Sequence, residues 1–157
     1  MVGEEHMAKI QIGVIGGGVC DNKTEMIAEE IGRELAMRGV ILICGGLGGV
    51  MEACARGAKR QGGNTIGVLP GNSREEANRY IDFQIVTNMG HARNAIVVAS
   101  SDALIAVGGE YGTLSEIALA LKMGKPVVII ESKWVIEGAI RSSDPVEAVD
   151  LALNAIA

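Results

Sequence analysis

The chain is poor in aromatic side chains. One Trp, two Tyr and one Phe make up 3% of its 157 residues, alongside only three Pro, three Cys and two His. Each scarcity excludes something. With no stacking platform, and with a net charge of −5 instead of a basic field, nucleic acid is not an expected partner. Cys20, Cys44 and Cys54 show neither C-x-x-C nor zinc spacing, and their odd number makes no disulfide framework. They read as reduced thiols of a cytoplasmic protein; a redox role for Cys20, which follows a glycine loop, is the weaker alternative. No His/Asp/Glu cluster has metal-ligand spacing, so no metal is expected. No apolar run approaches the roughly 20 residues of a membrane helix. The start, MVGEEHMAKI, carries two acids and no apolar signal core, so neither membrane insertion nor secretion is expected.

What is present is aliphatic and glycine-rich. Hydrophobic residues reach 48%, mean hydropathy is +0.30, and there are 22 Gly. A core of Ile, Val, Leu, Ala and Met suits a sheet buried on both faces. The length fits one domain over 9–157, with residues 1–8 as a flexible tail. Short apolar runs read as strands at 10–15, 40–44, 65–69, 83–87, 103–107 and 126–130, the last being the final strand. Between them, period-3.6 patterns read as helices, from about 22 to 38, 50–61, 91–100 and 112–123. Asn22 or Thr24 could cap the first of these, and Gly39 stops it. The polar stretch 71–81 reads as a loop or short helix over a site. Asp144-Pro145 opens a final helix. The alternation predicts an α/β fold, a Rossmann-like three-layer open parallel sheet with helices on both faces.

Three strands end in glycine clusters: Gly16-Gly17-Gly18, Gly45-Gly46 with Gly48-Gly49, and Gly108-Gly109 with Gly112. In a parallel sheet all three fall on the carboxyl edge, where ligands of such folds bind. One cluster alone is as readily a tight turn; three on one edge favour binding. None is a standard nucleotide fingerprint. IGGGVCD lacks the third glycine of G-x-G-x-x-G, and no cluster has the G-K-[ST] of a P-loop. The stretch VGGEYGTLSE, 107–116, is the most telling. A strand ending in glycines and feeding a helix is an anion cradle, and Glu116 sits one turn inside that helix. It reads either as an exposed acid complementing the helix dipole or as a carboxylate at the mouth of the cradle. Arg93, in GHARN (90–94), is its expected cationic partner, able to orient Glu116 or grip a phosphate. His91 beside it reads more readily as structural than catalytic. The adjacent acids Glu29-Glu30 and Glu75-Glu76 point to different helix faces and read as solvated, and no G-x-S-x-G elbow surrounds Ser101 or Ser115.

The set GGLGGVM (45–51), GVLPG (67–71), HARN (91–94), SDALIAVGG (101–109) and GGEYGTLSE (108–116) resembles the LOG-like superfamily, also labelled lysine-decarboxylase-like, over roughly residues 10–131. The resemblance implies a Rossmann-like fold and, in the best-known members, phosphoribohydrolases that free a base from cytokinin nucleoside 5′-monophosphates. Nothing suggests a pyridoxal-phosphate lysine site, so lysine decarboxylation is not expected. The LOG pattern P-G-G-x-G-T-x-x-E falls on Gly108, Gly109, Gly112, Thr113 and Glu116. Val107 replaces its proline, and Glu110-Tyr111 fill the place of one residue. The pattern M-H-E-R-K falls on His91 and Arg93, with Gly90, Ala92 and Asn94 as replacements. These departures make the chain more similar to the branch of molybdenum-cofactor carrier proteins, which bind a phosphorylated pterin and need not turn it over. The glycine clusters Gly16, Gly17, Gly18, Gly45, Gly46, Gly48 and Gly108 are the expected ligand-binding edge, and by resemblance Gly109, Gly112 and Thr113 hold the phosphate of a phosphorylated ligand. Glu116 and Arg93 carry any catalysis, no resident cofactor is required, and a molybdopterin-type cofactor is a candidate ligand. Family members also imply a homo-oligomer, a dimer or tetramer, and the apolar helices near 91–100 and 112–123 could pair.

Overall fold

The computed structural model describes residues 8–156; most of the expected tail, residues 1–7, lies outside the described residues. Strands β1 (Gln11–Gly16), β2 (Ile41–Cys44), β3 (Thr65–Leu69), β4 (Phe83–Val86), β5 (Ala103–Val107), β6 (Val127–Ile130) and β7 (Ile140–Ser142) form one sheet, in the order β4-β3-β2-β1-β5-β6-β7. Every neighbouring pair is parallel. Helices α1 (Asn22–Met37), α2 (Val50–Arg60), α3 (Arg93–Ala99), α4 (Tyr111–Lys122) and α5 (Pro145–Asn154) complete the Rossmann-like α/β fold. The central strands are buried on both faces, β5 and β6 throughout their length, which accounts for their unbroken aliphatic runs. One core cluster joins α1, α2 and α5 to one face, among them Ile31, Leu35, Cys54 and Val149. The other joins α3 and α4 to the opposite face through Val97, Val98 and Ile117. No helix among the described residues is long and apolar enough to cross a membrane.

Several local expectations are corrected. The final strand is β7, not the run at 126–130. Ile-Arg-Ser has no apolar run to betray it, and it is held at the sheet edge by parallel pairing to β6. Asp21, not Asn22 or Thr24, caps α1, its Oδ1 accepting from the Thr24 amide at 2.8 Å. The helix read at 91–100 begins as a 3-10 turn, Gly90–Ala92, before α3. The stretch 71–81 is a loop with the short turn Arg74–Glu76, in agreement with the expectation of a loop or short helix. The acids at 29 and 30 are not simply solvated: Glu29 pairs with Arg56 and Arg60, and Glu30 with Arg33. All three cysteines are free, and Cys44 and Cys54 are buried.

Helices α1 and α2 meet backbone to backbone. A methyl placed on Gly32 of α1 would lie 1.9 Å from the Cys54 carbonyl oxygen of α2. Only glycine permits that approach, and the Arg56 guanidinium closes the seam by donating to Glu25 and Glu29 at 2.7 and 2.9 Å. Gly32→Ala is therefore expected to cost about 3 kcal/mol, read as a drop in the urea midpoint; an unchanged midpoint would show that the helices can part freely.

Candidate functional site

The strand order reverses at β1, which lies between β2 and β5. Chains leaving β1 and β5 therefore run to opposite faces and leave a crevice at their carboxyl ends. A cavity of about 660 Å³ occupies it. Gly16, Gly17 and Gly18 after β1, Gly45 after β2, and Gly112, Thr113 and Glu116 after β5 all line it, with Arg93, His91 and Asn94 from the segment before β5. Val19, Leu47, Met51 and Pro70 supply an apolar wall. Gly46, Gly48, Gly108 and Gly109 are not part of the lining. They shape the loops: the Gly46 carbonyl accepts from the Asn78 backbone at 2.9 Å, and the Gly108 amide extends the sheet by donating to Ile130 at 2.9 Å.

The helix starts at this edge differ in what they leave free. The α1 start is capped by Asp21. At α2 the first amide, Val50, donates to the Gly17 carbonyl at 3.0 Å, which ties the first glycine loop to the second. A side chain on Gly49 (φ +62°) would lie 2.2 Å from that same carbonyl oxygen. At α4 no side chain caps the helix, and the first intrahelical bond is Leu114 to Glu110 at 3.0 Å. Among the described residues the amides of Tyr111, Gly112 and Thr113 have no acceptor. They are open anion donors at the positive end of a 12-residue helix. The Glu110 carboxylate, which would oppose an anion there, is held by Lys133 at 2.5 Å.

Arg93 is buried, and its fork is already engaged. Nε donates to the Val68 carbonyl at 2.9 Å, Nη2 to the Gly45 carbonyl at 3.4 Å, and Nη1 to Asn94 Oδ1. Gly45 must lack a side chain here, because a methyl would sit 2.5 Å from Nη2. Arg93 and Glu116 form no ion pair within 4.0 Å, but each feels the other's charge. Glu116 is only 9% exposed, so it is not the solvated acid that its helix position allows. Burial raises its pKa to about 7, against the opposing pull of Arg93. Burial likewise lowers the Arg93 pKa, with Glu116 acting the other way. The Glu116 carboxyl has no hydrogen-bond partner among the described residues, nor has the Thr113 hydroxyl, although Thr113 is 3% exposed. Buried polar groups without partners, gathered on one cavity, suit a polar ligand. The sequence reading passed over Pro70, Leu47, Met51 and Val19 as lining residues. Leu47, Met51 and Pro70 carried a signal, since GGLGGVM and GVLPG both lie at strand ends on the same sheet edge; Val19 carried none.

A family model described as the SLOG cluster4 family matches residues 9–153. An uncharacterized protein of Archaeoglobus fulgidus is 52% identical over 94% of this chain and 97% of its own length. The cytokinin riboside 5′-monophosphate phosphoribohydrolase of Mycobacterium tuberculosis is 38% identical over 67% of this chain; the chain spans 61% of that enzyme. Among solved structures, the molybdenum cofactor binding protein of the phototrophic bacterium Rippkaea orientalis superposes with a TM-score of 0.91 at 37% identity. That match covers 96% of this chain and 99% of that one.

The buried carboxyl ties stability to pH. The folded chain keeps the Glu116 proton up to about pH 7, whereas the unfolded chain sheds it near 4.5. Stability from this group is full below the unfolded value and is lost as pH rises through the folded one, in total about 3 kcal/mol. Glu116→Gln, which mimics the neutral acid, is expected to stabilise the protein by about that amount at pH 8 and to be near neutral at pH 4.5. Urea denaturation at the two pH values checks this; an equal effect at both would show that Glu116 does not titrate abnormally.

Proposed function

The chain belongs to the SLOG cluster4 family, and we propose that it binds a phosphorylated, nucleotide-like small molecule with its anionic group at the open start of α4. The observation that carries this reading is the set of acceptor-free amides at Tyr111, Gly112 and Thr113, two of whose residues line the cavity. The glycine backbone of 16–18 lets the ligand approach closely from the opposite side. The size of about 660 Å³ suits a nucleotide, and the apolar wall of Leu47, Met51 and Pro70 suits the flat face of a heterocycle.

Two uses of such binding follow. In the first, the protein is a phosphoribohydrolase. The N-glycosidic bond breaks, water adds to the anomeric carbon, and the base leaves with a proton. Glu116, once ionised, stabilises the positive charge that develops on the sugar, and Arg93 holds the surrounding loops and tunes Glu116 through its charge. The similarity to the Mycobacterium tuberculosis enzyme supports this use. In the second, the protein is a carrier that holds its ligand intact. The end-to-end match to the Rippkaea orientalis protein supports it, as does the engagement of the Arg93 fork by backbone carbonyls. The phosphate of a molybdopterin-type ligand would suit the same α4 amides. Neither use requires a resident cofactor, and both suit a cytoplasmic protein.

Chromatography of AMP incubated with the protein separates the two uses. A hydrolase releases adenine, at a rate that rises as pH passes 7 and falls at least about 100-fold in Glu116→Ala. A carrier binds AMP or a phosphorylated pterin and returns it unchanged. Binding of neither ligand would overturn the reading.

Self-association is also proposed, with the β4 edge as a second candidate surface beside the helices near 91–100 and 112–123. The β4 edge exposes Phe83 (59%) and Ile85 (46%), with Met89 nearby at 50%, on a strand with one unpaired side. Such an edge is a liability unless covered. Light scattering is expected to give a dimer or tetramer; a monomer mass would sink the proposal.

A further inference from the structure

Asn94 follows Arg93 on α3, is 9% exposed and lines the cavity. Its amide has a single allowed orientation. Arg93 donates Nη1 to Asn94 Oδ1, and a guanidinium has no acceptor to offer. Oδ1 therefore faces Arg93 and Nδ2 faces away. The template is rigid, because Arg93 is itself pinned to the Val68 and Gly45 carbonyls. Among the described residues Nδ2 finds no acceptor, yet it is not sealed in the interior, where the one unpartnered side-chain atom is Trp134 Nε1. It is a buried donor turned to the cavity.

Its position indicates which part of a ligand it meets. The carbonyls that anchor Arg93 end β2 and β3, two and three strands from β5 in the order β3-β2-β1-β5. At about 4.8 Å per strand, that is roughly 10–14 Å from the α4 start that follows β5. A nucleoside 5′-monophosphate with its phosphate at α4 would bring its ring, not its phosphate, to this end of the cavity.

We propose that Asn94 is a specificity-determining residue, a donor locked in place by Arg93 that selects ligands whose heterocycle presents a hydrogen-bond acceptor. This rests on the binding reading above and adds the chemistry that would discriminate between ligands. A neutral donor favours a ring nitrogen or carbonyl without adding a second cation to the site.

Calorimetric titration of AMP and of ribose 5-phosphate tests it. Asn94→Asp keeps the acceptor for Arg93 and the side-chain volume while replacing the donor by an acceptor. Asn94→Leu removes the donor without adding charge. The wild-type chain is expected to prefer AMP. In both variants the ratio of AMP to ribose 5-phosphate affinity is expected to fall at least tenfold, whatever the added charge of the aspartate does to both ligands alike. A ratio within twofold of the wild-type value in the folded variants, or a wild-type chain that binds AMP no better than ribose 5-phosphate, overturns the role of Asn94 alone. A wild-type chain that binds neither probe overturns the binding reading and this inference with it.

Discussion

A guanidinium held by backbone carbonyls underlies the architecture of the site. Arg93 joins the end of β3 to the end of β2 through Val68 and Gly45, 25 and 48 residues away in sequence. Burying a cation without a contacting anion is costly. Two carbonyl oxygens, an amide oxygen and the more distant charge of Glu116 offset that cost. The arginine thus shapes the cavity through what it positions. It sets the amide of Asn94, and it opposes the burial that keeps the Glu116 carboxyl protonated.

This constraint acts within the strand order. Because β1 lies between β2 and β5, three glycine-ended strands open onto one crevice. Their loops have different tasks. The first and second are joined by the Val50–Gly17 hydrogen bond, so α2 spends its first amide inside the protein. The third leaves the start of α4 unspent. At α4 the first three amides, Tyr111, Gly112 and Thr113, are all without an acceptor among the described residues, whereas α2 has already committed its first.

The fold was largely legible because its strands are short aliphatic runs stopped by glycine or proline. The runs at 65–69 and 103–107 coincide with β3 and β5. β7 escaped because three residues with one apolar member carry no periodicity; its strand state comes from pairing alone. At the site, the glycine-rich edge could be read, since a parallel sheet sends all its strand ends one way. The use of each glycine could not. Gly45 borders the cavity because of Arg93, whereas Gly46 turns towards Asn78. Nor could the surroundings of Glu116. Its helix position fits an exposed acid equally well, and burial is decided by tertiary packing that the local sequence does not carry.

The scarcity of aromatic rings has an optical consequence. Trp134 is the sole tryptophan of the chain. It packs on Tyr111, with ring centroids 5.7 Å apart, and Tyr111 opens α4, whose Gly112 and Thr113 line the cavity. Lys133 spans the same junction, lying over the indole while holding Glu110. Indole emission from this protein therefore reports on one place, the first turn of α4, against a background almost free of other fluorophores. A change in the surroundings of that helix start would be read by this one indole.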